Sequence, residues 1–167
     1  QISSLNIVDK QKKLLRKQAK LLFGMLLKYM AVEQEGLLSE RVGWGHQIVL
    51  QGYSDPLVRD EIFCQIIKQT TRNPYRQSVM LGWRLLVTCL GCFTPSAPLT
   101  PYILCHLANS ASPVYIPSTD IKFDSVESAA TLSYLCYSNL SKNPQNGTVP
   151  AVSDFSAQVQ SIYLCHQ

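Results

Sequence analysis

Residues 77–93 carry one charge, Arg84, in an otherwise apolar or weakly polar run. At 100° per residue, Val79, Met80, Trp83, Leu85, Leu86, Val87, Leu90 and Phe93 point in almost every direction. A surface helix confines its apolar residues to one stripe, whereas a helix that is apolar all round has to be enclosed by others. The chain is therefore expected to be all-α, a compact bundle of six to eight helices around a central one at 77–93. The same stretch does not read as a membrane span. Gly91, Pro95, Pro98 and Pro101 interrupt it, and about 20 uninterrupted apolar residues are needed.

The segment before this hub has marked ends. Pro56 suits a first helical position, where its missing N–H costs nothing, and Asp55 or Ser54 can cap the free amides. Asp60 and Glu61 fall near the positive N-terminal end of the helix, and Lys68 and Arg72 toward the negative end. Val58, Ile62, Ile66 and Thr70 recur every fourth residue with Phe63 and Ile67 beside them, so a helix over 56–72 buries that stripe. Asn73-Pro74 ends it.

Charge is spread unevenly. The chain of 167 residues has a formal charge of +4, yet residues 1–32 hold seven Lys/Arg against Asp9 alone, a local excess of +6. Residues 1–9 read as a lead-in and 9–32 as a long amphipathic helix. Leu15, Ala19, Leu22, Leu26 and Met30 share an arc of about 80°, and Lys10, Lys13, Lys17, Lys20 and Lys28 fall on the other side. Gly24 interrupts this helix at a cost of about 1 kcal/mol relative to alanine.

Acids and glycines over 33–45 read as a loop, followed by a short helix at 46–52 ended by Gly52. Pro95-Ser96-Ala97-Pro98 forms an elbow before a helix over 99–107, with Pro101 tolerated in its first turn. Residues 109–122 are loop-like; 124–141 and 153–165 regain helical character. A hydrophobic content of 46% and a charged content of 16% fit a globular protein. Six cysteines in mostly apolar contexts read as reduced core residues. The first residues lack a signal-peptide core, and a start at Gln1 is expected of a piece of a longer chain.

Four words occur in order: Leu57-x-Arg59-Asp60-Glu61-Ile62-Phe63-Cys64-Gln65-Ile66-Ile67-Lys68-Gln69-Thr70-x-x-Asn73-Pro74, Gly82-Trp83-Arg84-Leu85-Leu86, Cys89-Leu90-Gly91-Cys92-Phe93-x-Pro95-Ser96 and Leu99-x-x-Tyr102. Together they resemble the myosin tail homology 4 domain. The resemblance is fullest over 10–107 and weaker over 108–155, where Thr148 stands in place of a usual arginine; 156–167 would be an extension toward a neighbouring domain. It implies a non-catalytic, cytoplasmic, cytoskeleton-associated module in the tail of a motor or adaptor, an unconventional myosin above all. With an adjacent FERM domain, such a module binds cargo or cytoskeletal partners. It implies no cofactor, and Arg59, Asp60, Glu61 and Trp83 are its motif residues. A rigid spacer bracing the FERM domain and an anionic-membrane recruitment surface are the alternatives.

Catalytic readings of the residues are weak. Asp60 and Glu61 point about 100° apart, so capping, dipole complementarity and a structural ion pair account for them better than an acid pair. Cys89-x-x-Cys92 with Cys105-His106 has metal-like spacing but sits at the end of an apolar helix. No phosphate-cradling glycine loop or nucleophile elbow is present. The basic face remains: Lys13, Lys17, Lys20 and Lys28, with Lys68, Arg72 and Arg76 as a second group around Asn73-Pro74. It suits an acidic protein or peptide, tubulin tails included. Nucleic acid is disfavoured, since no aromatics alternate with the lysines to stack on bases.

Overall fold

The computed structural model describes residues 2–31, 38–111 and 129–142, with side chains for 9–31, 40–110 and 132–142. The described residues form six α-helices: α1 Ile2–Met30, α2 Leu38–Ser54, α3 Arg59–Thr70, α4 Arg76–Cys92, α5 Thr100–Ala111 and α6 Ala129–Lys142, with a 3-10 turn Pro56–Val58 leading into α3. The fold is all-α. The helical piece expected at 153–165 lies outside the described residues, as do most of the loop 109–122 and residues 156–167.

α4 is the hub, touching α1, α2, α3 and α6. Leu81, Trp83, Leu85, Leu86, Val87, Cys89, Leu90 and Cys92 are all buried. Val79, Met80, Arg84 and Gly91 are half-buried, and Arg76 and Gln77 at the start of the helix are exposed, so both cations of this helix sit at its less enclosed positions. Thr88 is buried on this helix and spends its hydroxyl on the Arg84 carbonyl at 2.9 Å.

The sequence reading of α3 holds closely. Val58, Ile62, Ile66, Thr70 and Phe63 are buried and Ile67 packs against the core. Asp55 is the cap, its carboxylate accepting from the Leu57 N–H at 3.0 Å. The helix ends at Thr70, and Arg72 takes a positive φ of 53°. Non-glycine residues adopt that backbone rarely. Asn73 holds the turn, donating to the Gln69 carbonyl at 2.9 Å and accepting from the Tyr75 N–H at 2.9 Å.

Three local expectations are corrected. The helix expected from residue 9 begins at Ile2, so the lead-in is helical. The loop expected at 33–45 is helical from Leu38, and α2 continues through Gly43, Gly45 and Gly52 to Ser54. Glycine is a poor helix former, but here packing decides. An ideal Cβ on Gly52 would lie 2.3 Å from the Phe93 Cζ, so the glycine marks a close helix-to-ring contact where a stop was expected.

The two C-terminal helices are tied on by side-chain bonds to backbone. Buried Ser133 donates to the Leu107 carbonyl at 2.7 Å, and Asn139 donates to the Val87 carbonyl at 3.0 Å. Asn139 begins an Asn-Leu-Ser triplet of glycosylation type, and its amide is already engaged in packing α6 on α4. His106 of α5 stacks on Trp83 of α4, ring centroids 5.1 Å apart and planes 8° from parallel.

Candidate partner-binding face

α1 presents two unlike sides. Leu22, Leu26, Tyr29 and Met30 are buried, with Leu15 and Met25 packed against the core. Lys10, Lys13, Lys17, Lys20 and Lys28 are all exposed. This follows from the arcs the residues occupy, because the apolar stripe can face only one way. An open hollow of about 580 Å³ on the outer side is lined, among the described residues, by Lys10, Lys13, Leu14, Arg16, Lys17 and Lys20.

Lys28 differs from the others. Its ammonium lies 4.3 Å from the centroid of the Trp44 ring on α2, a cation–π contact worth about 0.5–1 kcal/mol at an exposed site. It therefore helps to hold α1 on α2. Sequence reasoning did not single out Trp44; the Gly-Trp-Gly context reads as a loop until α2 is seen to run through it.

Lys68, Arg72 and Arg76 are exposed. Gln65 donates to the Ala19 carbonyl at 3.0 Å, and a Cβ on Gly82 would meet both Thr70 and Met30. α1 and α3 are thus in contact, and Lys68 lies one turn beyond the Gln65 contact.

The Arg59-Asp60-Glu61 triplet is structural, and its three side chains go three ways. Arg59 donates to the carbonyls of Gly52 at 2.7 Å and Tyr53 at 3.1 Å. These are among the last carbonyls of α2, which have no intrahelical partner. Its guanidinium also lies over the Phe93 ring, 5.7 Å from the centroid, and Phe93 packs on Phe63 at 5.4 Å. Asp60 accepts from the N–H of Ser96 at 2.9 Å and from its hydroxyl. Glu61 accepts from Gln65 at 2.6 Å. The ion pair expected within the triplet is replaced by these bonds, since neighbours about 100° apart on a helix reach different elements. Together they join the end of α2, the start of α3 and the elbow after α4. Trp83, the remaining motif residue, is a core residue at 3% exposure.

Cys89 and Cys92 are buried, Cys105 is exposed, and His106 is turned onto Trp83. Among the described residues no group of three or more His, Cys, Asp or Glu side chains is placed to hold a metal. Among those residues, too, no helix is long and apolar enough to cross a membrane.

An apolar hub helix, a short motif helix that staples its neighbours, and a cationic outer helix define a helical scaffold module whose outer surface is chemically one-sided. The family model for the MyTH4 domain matches residues 45–154, and the chain belongs to that family. Myosin-VIIa of Drosophila melanogaster is 42% identical over 72 residues, covering 43% of this chain and 3% of the relative. Kinesin-like protein KIN-14E of Arabidopsis thaliana is 33% identical over 95 residues, covering 54% and 8%. The chain thus spans a small fraction of these relatives' length. Among solved structures, the MyTH4-FERM MF1 domain of Dictyostelium discoideum myosin VII (mutant 2) superposes with a TM-score of 0.68 at 24% identity, over 88% of this chain and 29% of that one. The human myosin 7b C-terminal MyTH4-FERM domain, solved in complex with the harmonin-a PDZ3 domain, gives 0.52 at 24% identity, over 84% and 26%. These two are likenesses of fold.

Proposed function

We propose that this domain is a non-catalytic tail module of a cytoplasmic cytoskeletal motor or adaptor. In the whole protein it works beside a FERM domain and binds an acidic protein or peptide, tubulin included, through Lys13, Lys17 and Lys20 on α1. Lys68, Arg72 and Arg76 form a second basic group. Family membership supports the module class, and the myosin and kinesin relatives support the motor setting. The observation that carries the partner reading is the outward exposure of the α1 lysines, away from the buried stripe. Lys28, bound over Trp44, contributes to the field and less to direct contact.

Charges grouped on one face steer an opposite charge over roughly 8 Å at physiological ionic strength and less as salt rises. Co-sedimentation with microtubules, repeated across a salt series, tests this. Lys13→Glu, Lys17→Glu and Lys20→Glu combined should abolish a salt-sensitive association. Undiminished binding by the triple variant would reject the assignment.

A further inference from the structure

The outer side of α1 holds more than charge. Leu14 and Leu21 are 57% and 56% exposed. Seven residues apart, they differ by only about 20° around the helix. Gln18 lies between them and reaches the Asp55 carboxylate at 3.5 Å. The other oxygen of Asp55 accepts from the Leu57 N–H at 3.0 Å, and Leu57 is 61% exposed. This relay ties the turn that carries Leu57 to α1 beside the Leu14–Leu21 line, a seam between the two. Lys10 and Lys17 border the seam, within about 60° of the leucine line. Leu14 itself lines the same hollow as Lys10, Lys13, Arg16, Lys17 and Lys20. Single exposed leucines are ordinary, but Leu14 and Leu21 on one line of α1, beside a row of cations and an adjoining turn with exposed Leu57, form a mixed surface.

We propose that this seam receives an acidic amphipathic helix from a partner protein, its apolar stripe on Leu14, Leu21 and Leu57 and its carboxylates at Lys10 and Lys17. The inference rests on the reading of α1 as the partner face and specifies the partner's form. Spacing favours a helix. Leu14 and Leu21 are about 10.5 Å apart along the axis, the two-turn repeat of another helix; same-side residues of an extended chain recur at about 6.8 Å. Charge favours an acidic partner, because residues 1–32 carry +6 and a second copy of the chain would be repelled. The leucine line also runs along the margin of α1 against the bundle, as a groove does. A membrane plane would suit leucines centred between flanking lysines.

Fluorescence anisotropy of the full 167-residue chain with three labelled peptides of equal length tests this. One is an amphipathic helical peptide with a leucine stripe flanked by glutamates, the second is its scramble, and the third is polyglutamate. The helical peptide should bind at least about tenfold tighter than the scramble, a difference of about 1.4 kcal/mol. Leu14→Gln with Leu21→Gln, both at exposed positions, should erase that advantage and leave polyglutamate binding unchanged. Equal binding of helix and scramble, or an advantage that survives the leucine substitutions, would overturn the proposal. So would a leucine-dependent dimer in light scattering, or leucine-dependent binding to phosphatidylserine vesicles in preference to the peptide. Lys13→Glu, Lys17→Glu and Lys20→Glu report separately on the charge reading. If polyglutamate binding survives them, that reading fails, whatever the leucines do.

Discussion

Phe93 occupies the place that a side chain on Gly52 would need. An ideal Cβ at Gly52 falls 2.3 Å from the ring's Cζ and under 3.0 Å from both Cε atoms. The ring has little freedom to retreat: Phe93 is 3% exposed, packs on Phe63 and lies under the Arg59 guanidinium. Gly52 is therefore a packing residue inside α2, and the last turn of that helix depends on a ring from the far end of α4.

The glycines give a test with opposite signs. On helix propensity alone, alanine improves any helical glycine by up to about 1 kcal/mol. Gly24→Ala on α1 meets nothing within 4 Å and should stabilise by about that amount. Gly52→Ala and Gly82→Ala, whose Cβ would press on Phe93 and on Thr70 respectively, should destabilise by about 1–3 kcal/mol through overpacking. Urea denaturation of the three variants reads the order directly, and stabilisation by Gly52→Ala would contradict the contact.

Arg59 should resist replacement by another cation. Its two donors serve two carbonyls while its planar face lies on a ring. Lysine offers a point charge with neither geometry. Arg59→Lys should destabilise by about 1–3 kcal/mol, the range for leaving a partly buried acceptor unmade. Ser96→Ala, which removes one of the two bonds to Asp60 and keeps the backbone one, should cost about 1 kcal/mol. Chemical denaturation measures both, and equal stability of Arg59→Lys and the natural protein would refute the staple.

Burial against Trp83 lowers the pKa of His106 from the ordinary 6.5. With the folded value below the unfolded one, the unfolded chain takes the proton first as pH falls. The stability contribution is then complete above about pH 6.5 and is lost as pH drops through the window below it. His106→Phe keeps an aromatic ring on Trp83 and removes the proton site. The drop in melting temperature between about pH 7.5 and pH 5.5 should be smaller in this variant, and an undiminished drop would remove His106 from the explanation.

The thiols should separate by reactivity. Burial pushes Cys92 up to about 12, and raises Cys89 and Cys136 further from the thiolate form; Cys92 and Cys136 add to the shift at Cys89. Cys64 and Cys105 are exposed. Iodoacetamide at neutral pH, read by peptide mass spectrometry, should mark Cys64 and Cys105 and spare Cys89, Cys92 and Cys136 until denaturant is added. Partial burial raises the Cys64 thiol, with Glu61 and Asp60 adding to the shift. Glu61→Gln should therefore speed its alkylation, since the thiolate is the attacking species. Native labelling of Cys136 would show that α6 does not stay docked.

Much of this protein was legible in the chain because the signals are local. The stripe Val58, Ile62, Ile66 and Thr70, the Asp55-Pro56 start, the all-round apolarity of 77–93 and the segregated lysines of α1 all depend on relations within a few turns, which periodicity and capping express directly. The family words lie in the same local segments. Tertiary structure alone decided the rest. α2 runs on through Gly52, onto which Phe93, 41 positions away, packs. Asp60 bonds Ser96, 36 positions on, in place of its neighbour Arg59. Leu14 and Leu21 stay open beside half-buried Leu15 and buried Leu22 because a helix face is spent only where another element reaches it. Contacts between segments distant in the chain are set by how the helices close on one another, and no short window of residues encodes that closure.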